Sequence, residues 1–431
     1  AAANNLIPAI SNNIGRNHYS GGLSQSSTLG DVTVYSTSAW ASSINSYLYQ
    51  DGQYLVRVEY ISGHIVIEYY TSEYEIISAK SLEMDAGFDL WGGFYAGEKY
   101  NFIIIGQGNL SADDSVEVIR VIKYDKNWHR LGQVGLFGGY TSYPFESGSL
   151  RCAEYNGVLY IHSPRNIYAS DFGIYHQAEL TLVIRESDMT ITNDPKIWRV
   201  SHSFNQFIIA DKDGNIITLD HGDGWPRAAV LMKFSSGTYY TRSGVVNVRE
   251  FPLDRESSMM DNSTGASLGG LTESSTGYIT AFNDDGLGIN SQGDRSVHNI
   301  YLSHTSKNNF SESGTNIRQI TNFSADGNYS TGTPVLVSTG LDGGYVLWGV
   351  RELTDGHLTF PFYQSTGKIA YVTYSADGST SEITTVDGYL SDCQPIVYNG
   401  KVVWYVTNDG PPVFYTLDST GLSSFLAGSS F

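Results

Sequence analysis

The sequence predicts an all-β fold, a seven-bladed β-propeller of four-stranded antiparallel blades, and three observations predict it. Seven short turns ending in glycine recur along the chain, at Gly52, Gly97, Gly157, Gly214, Gly277, Gly344 and Gly400. Each is flanked by strand-length apolar or aromatic runs, such as Tyr54 to Val58 and Tyr100 to Ile105. The composition is poor in charge at 16% and rich in Gly (46) and Tyr (31), which favours strands and turns over exposed helices. A six- or eight-bladed ring is the alternative blade count, and an open array of β-sandwiches the alternative architecture.

The turns recur at a mean spacing of about 58 residues, above the roughly 40–50 of a compact blade, so insertions must separate some strands. A third and a weaker fourth run follow most pairs, as in Val116 to Tyr124 then His129 to Leu136, or Glu179 to Glu186 then Met189 to Thr192. Residues 1–431 therefore read as one domain with 1–30 as an extension. Asp31 to Ser36 would pair with the last blade, leaving no open sheet edge.

The net charge is −19, so phosphate backbones and anionic lipid are poor partners; neither nucleic acid nor membrane insertion is expected. No apolar run reaches the 18 or so residues of a membrane helix. The first residue is Ala1, which fits a mature or excised product. Two cysteines, Cys152 and Cys393, fall in different repeats and are expected as free, half-buried thiols.

In a propeller, the turns between first and second strands lie on one face, and the connections after the second strand on the other. The long insertions follow second strands: Asn109 to Ser115, Pro164 to Gln177, His221 to Arg227, Asn283 to His298 and Glu352 to Phe360. The face carrying them is the candidate functional surface.

The densest polar constellation belongs to units three and four. Ser201 to Gln206 opens the first strand of unit four, Asp220 to Arg227 closes its second, and Tyr175 to Gln177 ends the insertion of unit three. Antiparallel pairing should bring His202 and Asn205 beside Asp220 and His221, with His176 arriving from the next blade. Imidazole with carboxylate suits zinc or manganese, and carboxylate with amide oxygens suits calcium. The expected metal ligands are His202, Asp220, His221 and Asp223, and the divalent ion stays open between these metals. His176, Gln177, Asn205, Gln206, Trp225 and Arg227 are the expected ligand-binding residues, and His202, His221 and Tyr175 the candidates for proton transfer. The same side chains could instead satisfy backbone groups where blades meet. Asn283, Asp284, Asp285, Gly286 and Asp294 form a second acidic stretch compatible with calcium, whereas Asp211 to Gly214 reads as a hairpin turn.

Together, Ser201 to Gln206, Asp220 to Arg227 and Tyr175 to Gln177 resemble secreted bacterial β-propeller proteins of unassigned function, found as modules of larger surface proteins. The resemblance implies the fold and an extracellular or cell-surface location, with other domains of a larger protein as partners; it implies no activity. The expected function is recognition of a glycan or an extracellular protein through the loop-rich face. The alternative is a carbohydrate-active enzyme, a polysaccharide lyase or hydrolase, with a His-based site near the propeller axis.

Overall fold

The computed structural model describes residues 41, 43–146, 148–168, 176–224, 226–236, 239, 241–251, 264–286, 297–353, 363–407 and 411–428. Their strands form seven antiparallel sheets arranged as a seven-bladed propeller. Blade 1 comprises β1 (Ser46–Asp51), β2 (Tyr54–Ile61), β3 (His64–Tyr70) and β4 (Ile76–Glu83). Blade 2 comprises β5 (Leu90–Ala96), β6 (Asn101–Gly106), β7 (Glu117–Tyr124) and β8 (Arg130–Phe137). Blade 3 comprises β9 (Thr141–Pro144), β10 (Arg151–Tyr155), β11 (Val158–Ile167), β12 (His176–Arg185) and β13 (Thr190–Ile191). Blade 4 comprises β14 (Ser203–Ala210), β15 (Ile216–Gly222), β16 (Ala228–Phe234) and β17 (Arg242–Glu250). Blade 5 comprises β18 (Ala266–Glu273), β19 (Gly277–Asp284), β20 (Asn299–Ser306) and β21 (Thr315–Gln319). Blade 6 comprises β22 (Tyr329–Thr331), β23 (Val335–Gly340), β24 (Gly343–Leu353), β25 (Tyr363–Ser375) and β26 (Thr384–Asp387). Blade 7 comprises β27 (Ile396–Tyr398), β28 (Lys401–Val406), β29 (Val413–Asp418) and β30 (Gly421–Leu426).

The blade count and the placement of the glycine turns hold, with one shift: Gly344 lies inside β24, one residue past its start. In blades 3 and 6 the inner strand is split, β9 with β10 both pairing β11, and β22 with β23 both pairing β24. The expected extension 1–30 and closing strand 31–36 lie outside the described residues. Blade 7 is built from four consecutive strands of its own. Its seam with blade 1 is held by side chains, Tyr398 Oη donating to Gln53 O at 2.6 Å, Tyr405 Oη to Glu59 Oε1 at 2.9 Å and Asn45 N to Asp392 Oδ2 at 2.7 Å, and by a backbone bridge in which Gly428 N donates to Tyr74 O at 3.1 Å and Ile76 N to Gly428 O at 3.3 Å.

Burial follows position within the blade. Second strands are covered on both sides by neighbouring blades, so β6 (NFIIIG) and β15 (IITLDHG) are buried throughout. Outer strands such as β21 (TNIRQ) face solvent and carry polar residues. Because side chains alternate along a strand, a second strand feeds two cores at once. In β6, Phe102 and Ile104 join the core shared with blade 3, while Ile103 and Ile105 join that shared with blade 1. In β15, Ile216 faces blade 3, and Ile217 and Leu219 face blade 5. This parity decides the fate of every polar residue on β15. A cavity of about 350 Å³ runs along the axis, bordered by Tyr47, Phe94, Arg151, Phe207, Leu271, Leu336 and Gln394, one from each blade.

Candidate functional site

The polar constellation of blades 3 and 4 is real but divides into three groups. Asp220 has the parity of Ile216 and turns toward blade 3, where Oδ1 lies 2.7 Å from His162 Nε2 and Oδ2 accepts from Ser203 Oγ at 2.6 Å. His162 Nδ1 contacts Thr181 Oγ1 at 2.8 Å, and Thr181 Oγ1 meets Tyr239 Oη at 2.7 Å. All of these residues are buried. Burial works against the His162 cation, but the Asp220 carboxylate outweighs it and raises the imidazole pKa above its ordinary value. Nearby Glu179 accepts backbone N–H bonds from Arg199 and Val200, and burial, reinforced by the Asp220 charge, raises its pKa to about 7. Ser203 bonds the Asp220 carboxylate and not the imidazole, and all members are buried, so the chain reads as a buried polar bridge between blades rather than a nucleophile with its base.

His221 has the opposite parity. It faces blade 5, fully buried, with Nε2 2.7 Å from Thr264 Oγ1 and its ring 5.2 Å from Phe251. Burial, with the Arg227 charge adding to it, lowers its pKa to about 3. A sealed imidazole held neutral in this way suits neither proton transfer near pH 7 nor a site shared with Asp220. Of the expected metal set of His202, Asp220, His221 and Asp223, Asp220 faces blade 3, His221 faces blade 5 and Asp223 pairs with Arg227. Among the described residues no three His, Cys, Asp or Glu side chains are grouped to hold a metal ion.

His176 and His202 do converge at the loop-rich face, their rings 5.7 Å apart, with the Trp198 ring edge-on to His176 at 5.1 Å. His202 N donates to Gln177 O at 2.8 Å, which ties blade 4 to blade 3. Burial, and then the neighbouring His176, lower the His202 pKa, so it is neutral at physiological pH. Asp223 and Arg227 form an ion pair, and Arg227 Nη1 also donates to Asp223 O at 3.0 Å, so the arginine anchors its own loop. Burial raises Asp223 to about 6 against the pull of Arg227. Asn205 and Gln206 turn inward: Asn205 Nδ2 donates to Leu268 O at 3.2 Å, and Gln206 Nε2 to Ser203 O at 3.0 Å. Tyr175, Trp225 and Asp294 lie outside the described residues. Asn283 and Asp284 are buried in β19, Asp284 receiving Arg249 Nε at 2.9 Å, so they make no open oxygen cluster for calcium. Asp211 to Gly214 is the hairpin turn expected, its Asp211 Oδ1 accepting Asp213 N and Asn215 N at 3.0 and 2.8 Å. Both cysteines are free, with Cys393 buried and Cys152 half-buried.

An open cleft on the loop-rich face was not anticipated from sequence. A cleft of about 550 Å³ lies between blades 1, 2 and 3, bounded by Asn45, Tyr60, Asp89, Trp91, Tyr143 and Glu146. These residues open first strands or close second strands and the split inner strand, which places them all on one face. Tyr60 stacks flat on Trp91, centroids 5.0 Å apart and planes within 2°. Trp91 Nε1 is fixed by Ile44 O at 2.8 Å, and Glu146 by a hydrogen bond from Asn166 Nδ2. Phe145 positions Glu146: its ring lies against Gly92 and Gly106, where an added Cβ would come within 2.6 and 2.7 Å. Phe145 itself has φ of 67°, the left-handed region that a bulky residue adopts only when its surroundings hold it there. Tyr60, half-buried and backed by the buried Trp91, is rimmed by two carboxylates and an amide, which suits a ligand with an apolar face and many hydroxyl donors. Sequence spacing gave no sign of the cleft, because its walls come from segments some hundred residues apart. The one visible clue was an aromatic at the end of β2 and another at the start of β5.

No family model matches the chain, and no curated protein matches it. Among solved structures it is similar to the β-propeller domain of the Trilobed protease from Pyrococcus furiosus, at 10% identity over 80% of this chain and 85% of that one, with a TM-score of 0.40. It is also similar to an ancestral GH74 enzyme, at 9% identity over 90% of this chain and 47% of that one, with a TM-score of 0.46. A member of the duf4221 family from Bacteroides vulgatus matches at 10% identity over 90% of this chain and 94% of that one, with a TM-score of 0.42. At these values the likenesses carry no argument about activity.

Proposed function

We propose that this chain is an extracellular recognition module that binds a glycan through the cleft between blades 1, 2 and 3. The observation that carries the reading is the Tyr60–Trp91 stack beside Asn45, Asp89 and Glu146. Aromatic faces pack on the C–H faces of sugar rings, while carboxylate and amide oxygens accept from hydroxyls. Two carboxylates in the cleft and a net charge of −19 select for neutral or amino sugars over uronates and sulfated chains. The His-based enzyme reading is narrowed to His202 at the rim, since His221 is buried between blades.

The test is a glycan array with the wild type, Tyr60→Ala and Glu146→Gln. Binding to neutral or amino-sugar glycans that weakens about tenfold or more in both variants supports the reading, in line with the loss of one stacking or charged hydrogen-bond contact. Unchanged binding in both variants, or no binding by the wild type, removes it. Turnover of a polysaccharide that is abolished by Asp89→Asn and Glu146→Gln would replace recognition with hydrolysis by a carboxylate pair.

A further inference from the structure

The axial cavity contains an isolated cation. Arg151, the first residue of β10, reaches across to blade 4, where Nη1 donates to Asn205 Oδ1 at 2.9 Å and to Gln206 O at 2.8 Å, and also bonds Ser149 Oγ. Its guanidinium lies on the Phe207 ring, 3.6 Å from the centroid. These contacts fix one edge of the fork and one face of its plane. No carboxylate among the described residues pairs with it, and its Nε and Nη2 have no acceptor there. Neither nitrogen is sealed among buried atoms lacking partners. In a chain with 44 acidic and 25 basic residues, a guanidinium that faces a cavity without a carboxylate is out of keeping with its surroundings.

The cavity is otherwise apolar on most sides. Phe94, Leu271 and Leu336 contribute from blades 2, 5 and 6, and Thr272 and Tyr47 add hydroxyls. Its volume of about 350 Å³ is within the range of small-molecule pockets. Burial lowers the Arg151 pKa to about 9, which still leaves it a cation at neutral pH. The free edge, Nε with Nη2, is the pair of parallel donors that fits the two oxygens of a carboxylate.

We propose that the axial cavity is a binding site for a small organic monocarboxylate with an apolar body, its carboxylate held by the free edge of Arg151 and its body against Phe94, Leu271 and Leu336. The site is separate from the glycan cleft. An inorganic anion would leave the apolar walls unused, and a dicarboxylate would place a second charge against them. The arginine is already oriented by Asn205, Gln206 O and Phe207, so binding need not order it, and the negative field of the whole protein is opposed locally by a partly desolvated cation.

The probe is 4-fluorobenzoate, followed by the fluorine NMR linewidth of the ligand over the intact chain, with 4-fluorobenzyl alcohol as the neutral counterpart. Broadening of the carboxylate that benzoate reverses, with none for the alcohol, is the expected result. Arg151→Met should weaken binding about ten- to a hundredfold, the range for one charge-assisted hydrogen-bonded pair. Because that substitution leaves Asn205 Oδ1 without its donor and could unfold the ring, Ser338→Trp is the second variant. It narrows the cavity without touching the guanidinium and should also abolish broadening, while its melting temperature confirms folding. Equal broadening by the alcohol, no broadening by either compound, or full retention in Ser338→Trp overturns the proposal.

Discussion

Asp220 and His221 are adjacent in sequence and point to opposite faces of β15: Asp220 Oδ1 is 2.7 Å from His162 Nε2 on the blade 3 side, and His221 Nε2 is 2.7 Å from Thr264 Oγ1 on the blade 5 side. Each residue therefore ties blade 4 to a different neighbour, and together they couple three blades through one strand.

Removing one partner of the first tie should be costly. Asp220→Ala leaves the His162 imidazole and the Ser203 hydroxyl buried without their acceptor, and chemical denaturation should register a loss of about 3–5 kcal/mol. Asp220→Ala with His162→Leu should lose less than the sum of the single changes, because the second removes the group that the first orphaned.

His202 and His221 should separate in a stability assay. His221→Ala opens a void and removes one of the two hydrogen-bond partners of Thr264 Oγ1, for a loss of about 2 kcal/mol or more. His202→Ala, half-buried at the rim, should cost about 1 kcal/mol or less, and thermal melts of the two variants check the order.

Above pH 6.5 the fold should weaken as pH rises. Burial raises Glu179 to about 7, Asp392 to about 7 and Glu186 to about 8, in the last case with Glu154 adding to it. For each, the folded state holds a proton that the unfolded chain releases near pH 4.5 or below, so stability is full below that value and is lost as pH passes through the folded pKa. His162, also raised, is lost in the same direction. His221, lowered to about 3, acts oppositely, adding stability as pH rises from 3 to about 6.5, and is spent above that. Melts at pH 6.5 and 8.5 should show the decline, and Glu179→Gln should flatten it.

Two turn glycines make a controlled pair. Gly214 and Gly400 both have left-handed backbones, with φ of +83° and +74°. An added Cβ at Gly214 would lie 2.3 Å from the Tyr155 ring, whereas at Gly400 nothing lies within 4 Å. Gly400→Ala should cost about 1 kcal/mol from backbone strain alone, and Gly214→Ala distinctly more, by denaturant midpoint.

Much of the fold was legible in the sequence because a propeller is local: each glycine turn joins strands that pair with each other. The candidate face was legible for the same reason, since long insertions after second strands must share one side. On β15, nearness along the strand is not nearness in space, because a shift of one residue reverses the side chain's direction. The His162–Asp220 contact has no signature along the chain, because its partners, 58 residues apart, become neighbours only when two blades pack. The Tyr60–Trp91 cleft and the Arg151 cavity are likewise products of packing between blades, and no spacing along the chain announces them.

The seam between blades 7 and 1 gives the ring a direction in time. Each blade is built from consecutive strands, but the partners across this seam, Tyr398 with Gln53 and Tyr405 with Glu59, are 345 and 346 positions apart. Until blade 7 packs against blade 1, the residues that cover Arg57 and Glu59 are not in place, so that buried charge cluster stays in contact with water. Water solvates those charges well in the interim, which makes closing the ring at this seam a desolvation step.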